Sequence, residues 1–328
     1  MEMGVSGMEK TVSDRVLEIF YRLIKGEIFN SRSLAENYHV SVKTINRDIS
    51  RIKNFLAEHK ELMNYAEIVY SNKLKSYILK SDELLKNSEL FAILKVLLGV
   101  RCFNRDDMLS IVQKLEKFTT LQNRDILTDI VGKETNCYSE VHSDCDSVIE
   151  NLWQIIKCIE EKRYITVTYL KMDRSEVIRK LRPASIMFSE YYFYLIAYDD
   201  TEPEKAKYFR IDRIKHIREN REFFRDDKKY RFNEGNFRKK NQFMFPGEVV
   251  RIEFEFTGLS VQAVLDRIPT ARVIRKNGRT SVISAEVNYG RGLLMYLLSQ
   301  GSWIKVLSPQ MLIDDMKAEI ENIKLLYD

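Results

Sequence analysis

Cysteine, histidine, tryptophan and glycine are all sparse: four Cys, four His, two Trp and 12 Gly in 328 residues. Cys102, Cys137, Cys145 and Cys158 form no Cys-x-x-Cys and have no His pair nearby, which argues against a zinc site. Four thiols in a chain of this length make no disulfide framework either, so reduced thiols are expected. His39, His59, His142 and His216 are scattered without paired ligand spacing. There is no GxGxxG, no P-loop and no GxSxG; Gly258, Gly290 and Gly292 sit at helix starts but lack Walker residues. No catalytic constellation can be assembled, so the expectation is no enzyme, no cofactor and no metal. No apolar run reaches membrane-spanning length, and Met1–Lys10 has no apolar signal core. A cytoplasmic protein with no membrane partner is expected.

What is present describes a folded chain. Hydrophobic residues make up 45% and charged residues 31%, with 17 Tyr and 17 Phe, a composition that excludes disorder. The length calls for roughly two to four domains. The net charge of +5 permits a nucleic-acid partner without requiring one.

Val12, Val16, Ile19, Phe20, Leu23 and Ile24 recur at three-four spacing, predicting a helix over 11–27. Ser31 offers an N-cap for a short helix with Leu34, Ala35 and Tyr38; His39-Val40 makes a turn, and Ser41 caps a third helix, 41–58. On that third helix Ile45, Ile49, Ile52 and Leu56 share one sector, while Lys43, Asn46, Arg47 and Ser50 lie opposite. The pattern fits a helix-turn-helix reader or a charged surface helix of a three-helix bundle. Glu67–Tyr70 and Ser76–Leu79 then pair as a hairpin across Ser71–Lys75, a lysine-tipped wing able to meet phosphates.

Ser31-x-x-Leu34-Ala35-Glu36-x-Tyr38-x-Val40-Ser41-x-x-Thr44-Ile45-x-Arg47-Asp48-Ile49 resembles the N-terminal winged helix of DeoR-type bacterial regulators. With that resemblance Lys43, Thr44, Asn46, Arg47 and Ser50 would face the major groove, and Lys73 and Lys75 would meet phosphates.

Helical spacing without Pro over 82–135 predicts two or three helices. One stripe holds Leu84, Leu85, Leu90, Phe91, Leu94, Leu97 and Leu98, the other Met108, Leu109, Ile111, Val112 and Leu115; dimer contacts and an internal core both fit. The acidic stretch Gly132–Asp146 is the expected boundary.

A helix over 146–161 leads into the strand Tyr164–Tyr169, a tip at Lys171–Arg174, and a strand Val177–Ile186. The aromatic run Tyr191-Tyr192-Phe193-Tyr194-Leu195-Ile196-Ala197-Tyr198 and the segment 206–218 follow. These read as a small SH3- or Sm-like barrel, with Tyr and Arg either filling core and rim or lining a pocket for a planar anion. Ile165–Tyr169, Arg182-Pro183, Phe193-Tyr194-Leu195 and Phe209–Ile214 resemble the WYL domain, with Phe193 in place of its Trp and Lys171 where a hydroxyl residue is common. The resemblance implies a basic effector pocket made of Tyr169, Lys171, Arg182, Tyr194, Arg210 and Arg213. Alternation assigns Phe193 and Leu195 to the core and Tyr194 to the pocket. The basic segment 219–245, with Arg221, Arg225, Lys228, Lys229, Arg231, Arg238, Lys239 and Lys240, reads as a solvated connector or a nucleic-acid contact.

Strand 250–256, helix Ser260–Ile268, a hairpin of Ala271–Lys276 and Arg279–Val287 across Asn277-Gly278, helix Gly292–Ser299, strand Trp303–Leu307 and helix 310–326 close the chain. That order is ferredoxin-like, and Leu297–Gly301 with Val306–Pro309 resembles the C-terminal extension of WYL proteins.

The expectation is therefore an α+β multidomain chain: winged helix-turn-helix (1–80), helical linker (81–140), Sm/SH3-like small β-barrel for ligand sensing (141–240), and ferredoxin-like C-terminal domain (241–328). It implies a DNA-binding transcription regulator, a homodimer on a palindromic double-stranded operator, responding to an anionic effector such as a nucleotide or short single-stranded nucleic acid. The alternative is a non-transcriptional nucleic-acid-binding accessory protein of a defence system.

Overall fold

The computed structural model describes residues 11–62, 66–81, 85–119, 121–225, 234–241 and 247–328. It is mixed α and β, with three sheets among the described residues. Two compact units divide the chain: Met1–Arg101 with Arg105–Glu140, and Cys102–Asn104 with Val141–Asp328. No helix among the described residues is long and apolar enough to cross a membrane.

In the first unit, α1 (Val12–Ile24) starts at a capping box in which Thr11 and Asp14 satisfy each other's backbone N–H groups. It stops short of residue 27 because Gly26 takes φ +79, a left-handed conformation that side-chain-bearing residues avoid. For α2 (Ser31–Asn37) the cap is Asn30, whose Oδ1 accepts from Ser33 N–H at 2.8 Å; Ser31, expected as the cap, is already helical. Ser41 caps α3 (Val42–Glu58) as its position demands. Ile45, Ile49, Ile52 and Leu56 pack with Ile19, Leu23 and Leu34, all at most 4% exposed, each worth about 1.5–3 kcal/mol of apolar burial. One polar tie crosses this core: Arg15 Nε donates to Asp48 Oδ2 at 2.6 Å.

The hairpin of β1 (Glu67–Ser71) and β2 (Ser76–Lys80) follows, its turn carrying Lys73 and Lys75. Tyr77 N–H also donates to Phe29 O at 2.9 Å, anchoring the hairpin to the segment between α1 and α2. Next come α4 (Asn87–Val100), α5 (Arg105–Glu116) and α6 (Leu121–Asn136). Leu90, Leu94, Leu98, Met108 and Val112 are buried. Leu85 is 47% exposed because it precedes α4, and Leu84 lies outside the described residues. Helix α6 continues through Gly132, so the break begins after Asn136 rather than at Gly132.

The second unit opens on α7 (Val148–Glu160), capped by Ser147. Five antiparallel strands follow: β3 (Arg163–Leu170), β4 (Glu176–Ser189), β5 (Tyr192–Asp199), β6 (Lys207–Arg210) and β7 (Ile214–Phe223), in the spatial order β6-β5-β4-β3-β7. A one-turn 3-10 helix, Ile211–Arg213, carries the chain from one edge to the other. The face under α7 buries Ile155, Cys158, Ile165, Val167, Leu181, Leu195 and Ile211. Within the segment 219–245, read as a solvated connector or a nucleic-acid contact, β7 runs to Phe223, and α8 (Glu234–Lys240) sets Phe237 edge-on to Tyr208 at 5.3 Å. Lys228, Lys229 and Arg231 lie outside the described residues.

The C-terminal sheet contains β8 (Val249–Phe256), β9 (Arg272–Asn277), β10 (Thr280–Asn288) and β11 (Ile304–Ser308), ordered β11-β8-β10-β9. Helices α9 (Val261–Arg267), α10 (Arg291–Ser299) and α11 (Gln310–Leu325) complete it. Asn277 pairs with Thr280, so the hairpin turns on Gly278-Arg279, one residue later than expected; Gly278, φ +57, takes the first central position.

Candidate functional site

Two regions gather the residues singled out above. In the first unit, Lys43, Asn46, Arg47 and Ser50 are exposed along α3, and Thr44 is half-buried at its first turn. Lys43 and Arg47 engage no side-chain partner among the described residues. Thr44 Oγ1 lies 2.8 Å from Ser41 Oγ, so its hydroxyl belongs to the cap. Ser50 donates back to Asn46 O at 2.8 Å, which removes its proton from outside use. A groove of about 590 Å³ runs between α2, α3 and the hairpin, lined in part by Ser31, Asn46, Tyr70, Lys75 and Tyr77. Lys75 lines its far wall, with φ 49 at the tip of the turn, and Lys73 is exposed in the same turn.

In the second unit, strand alternation puts Tyr192 and Tyr194 on the sheet face away from α7, and register places Arg210 beside Tyr194. The Arg210 guanidinium stacks 3.4 Å from the Tyr192 ring centre. Its fork is engaged: Nε and Nη2 donate to the two carboxylate oxygens of Asp212 at 3.1 and 2.6 Å. Burial works against the charge of Arg210, but the Asp212 carboxylate outweighs it and raises the pKa above its ordinary value. Burial pushes the Tyr194 hydroxyl up to about 12, so it stays protonated and donates. Tyr169 stands on the opposite face, edge-on to Phe209 at 5.3 Å, with its pKa also raised by burial. Arg213, half-buried in the 3-10 turn close to Tyr169, has no hydrogen bond or ion pair among the described residues. Lys171 is exposed in the β3–β4 turn.

Arg182 does not join this group. It pairs in register with Tyr198, four residues along β5 from Tyr194, a separation of ~13 Å at ~3.3 Å per residue. There its guanidinium lies 4.7 Å from the Phe224 ring centre and donates to Arg225 O at 3.0 Å. Lys180 sits 5.0 Å over Tyr164, which is edge-on to Phe224 at 5.4 Å. The implied pocket is thus two clusters: Tyr192/Tyr194/Arg210, with the Tyr169 hydroxyl at the Arg210 backbone and Arg213 and Asp212 nearby, and Lys180/Arg182/Phe224.

Sequence reasoning missed four neighbours of these clusters. Tyr192 was signalled by its alternation with Tyr194, and Asp212 by its place two residues from Arg210 in a tight turn. Phe237 and Asn241 carried no signal, because only folding brings α8 onto β5 and β6; the Asn241 Nδ2 there is buried without a hydrogen-bond partner among the described residues. The arrangement suits binding of a planar or anionic group by stacking and charge.

Residues 150–219 match the WYL domain. The match takes in most of α7 and β3 through most of β7, so Tyr192, Tyr194, Arg210, Asp212 and Arg213 all lie within the matched segment. No curated protein sequence matches the chain. Among solved structures, proteasome accessory factor B/C (PafBC) of Arthrobacter aurescens is 17% identical with a TM-score of 0.31; the similarity covers 100% of this chain and 52% of that one. A CRISPR Cas-related protein is 15% identical with a TM-score of 0.39, over 100% of this chain and 88% of that one. The chain spans about half the length of PafBC.

Proposed function

We propose that the chain is a cytoplasmic DNA-binding transcription regulator, in which α1–α3 and the β1–β2 hairpin form a DeoR-type winged helix-turn-helix. The WYL domain, as an Sm/SH3-like barrel, then binds an anionic effector, and the ferredoxin-like β8–β11 module completes the sensor. The observation that carries this reading is the solvent-facing stripe Lys43, Asn46, Arg47 and Ser50 beside a groove lined in part by Asn46 and Lys75, in one chain with a segment that matches the WYL domain. One short reader spans too few base pairs for operator affinity, so a homodimer on a palindrome is part of the reading. Arg213 is the cation open to an effector phosphate, while Arg210 must first release Asp212. Tyr194 supplies a donor and a stacking edge, and Lys171 a charge at the rim.

Gel shifts with palindromic sequences from upstream of the gene test the reader. Binding by the full chain that Arg47→Ala abolishes supports it, with Lys73→Ala and Lys75→Ala each reducing the salt slope by about one. Binding indifferent to Arg47→Ala sinks the assignment.

A second reading, a non-transcriptional holder of single-stranded nucleic acid serving a defence system, draws on the Lys180/Arg182/Tyr164/Phe224 cluster, where cations and aromatic rings alternate. Single-strand binding that survives Arg47→Ala and is lost in Arg182→Ala favours it.

A further inference from the structure

Charge is unevenly spread over the C-terminal module. Between Asp266 and Glu286 there is no acidic residue, while Arg267, Arg272, Arg275, Lys276 and Arg279 are all basic. Arg267 is tied to Glu190, and elsewhere in the module Arg251 lies 3.9 Å from Glu253, Lys305 3.8 Å from Glu255 and Lys324 3.4 Å from Glu321. The other four cations of the acid-free stretch gather on the β9–β10 hairpin, where every residue of 272–279 is exposed. Their side chains have no hydrogen bond or ion pair among the described residues. Strand β9 is also the edge of its sheet. Residues three apart on a regular strand face opposite ways, but a register shift sets Arg275 opposite Val282 and Arg272 opposite Ser284. Both therefore share the face away from Ile283 and Ala285 in the core. Lys276 continues the strand, and Arg279 stands in the turn.

Four unpaired like charges so close together repel one another, a cost that a polyanion removes. Charges on an edge strand also keep other strands from pairing there. That need does not account for Arg279, which lies beyond β9, nor for charge of one sign alone. Arg272 to Lys276 spans about 13 Å at ~3.3 Å per residue, close to four steps of one strand of a duplex at ~3.4 Å each. Guanidinium groups, three of the four here, present a fork that matches phosphate oxygens. We infer that the β9–β10 hairpin is a second nucleic-acid contact, its cations lying along the phosphates of one strand. The hairpin lies outside residues 150–219 and far in sequence from α3, so the inference goes beyond the reader and the effector site proposed above.

Salt titrations of the full chain test it, by fluorescence anisotropy on a duplex of random sequence and on a single strand of equal length, from about 50 to 200 mM salt. The variant Arg272→Gln/Arg275→Gln/Lys276→Gln/Arg279→Gln should flatten the slope of log K against log salt by about three to four on duplex, at ~0.9 per phosphate. On a single strand the change should be about two to three, at ~0.7 per phosphate. A change in either arm supports the contact and names the form of nucleic acid. Arg272→Lys/Arg275→Lys/Arg279→Lys keeps every charge and should hold the wild-type slope; a loss there equal to that of the Gln variant marks a damaged fold and overturns the inference. Arg291→Gln/Lys317→Gln removes two other unpaired charges of the module and should leave the slope unchanged. A loss per charge equal to the hairpin's would make the effect one of net charge and overturn the inference. So would an unchanged slope in the Gln variant, binding to neither probe at about 50 mM salt, or loss of polyglutamate binding alone, which would assign the hairpin to an acidic protein. The same comparison in an Arg47→Ala chain separates the two readings: the hairpin's share should persist there, and a reader that fails leaves it standing.

Discussion

Replacing Asp48 with Ala removes the carboxylate that ties the reader helix α3 to α1. Its side chain is 0% exposed and accepts from Arg15, itself 6% exposed, at 2.6 Å; Arg51 adds a 3.2 Å contact from a half-exposed position. The Arg51 arm is screened by water and contributes about 0–1 kcal/mol. Arg15 sets the magnitude, because leaving its guanidinium buried without a counter-charge costs about 3–5 kcal/mol. A domain has only about 5–15 kcal/mol in all, so Asp48→Ala should remove a large share of the winged-helix stability. Native-state hydrogen exchange of the full chain is the assay, because it resolves the units: the slowest amides of α3 should lose about 3–5 kcal/mol of protection while those of β3 stay unchanged. The double variant Arg15→Met/Asp48→Leu removes both charges and should recover most of the loss, since apolar groups of similar volume replace buried ion pairs at little cost. A loss in Asp48→Ala below about 1 kcal/mol, the worth of an exposed pair, would refute the reasoning. So would a double variant no more stable than the single one.

Asp212→Asn should tighten binding of a 5′-phosphorylated single-stranded pentanucleotide by about tenfold, because the carboxylate no longer competes for the Arg210 fork; fluorescence anisotropy showing equal or weaker binding at unchanged melting temperature counts against the effector site. Asp199 is driven up by desolvation but more strongly down by Thr201 and Lys207, to about 2 from 3.8, with its side chain 4% exposed. Its contribution, about 2 kcal/mol, is complete above pH 3.8 and disappears as pH falls through about 2; acid unfolding of Asp199→Asn should lack this component, and an identical acid profile would contradict it. A Cβ on Gly247 would lie 1.6 Å from the Tyr289 carbonyl oxygen, so Gly247→Ala should lower the melting temperature by several degrees; an unchanged melting temperature would contradict it.

Most elements were readable from local rules. The Ile45–Leu56 stripe, the Ser41 cap and the alternation over Val250–Phe256 each depend on residues within one turn or one strand, where periodicity translates directly into burial. Boundaries slipped where one atom decided the matter: Asn30 outcompeted Ser31 for the α2 cap, and Gly278 moved the C-terminal turn by one residue. The residues read as one ligand pocket are spread over more than one place. Its members were chosen by type and motif, and type does not say which face of a bent sheet a residue occupies.

By itself the sequence determined the order of helices and strands, the apolar stripes that bury them, and the stretch that matches the WYL domain. Such features follow from backbone geometry and the period of side chains along it. Tertiary structure alone decided which charges are already satisfied. Asp48 is the buried anchor of α3 and Arg210 is held by Asp212, and neither pairing shows in the residue pattern. Arg182 left the site because the sheet places it beside Phe224. A charge acts through what lies within a few ångströms of it, and that neighbourhood is assembled from strands and helices far apart in the chain.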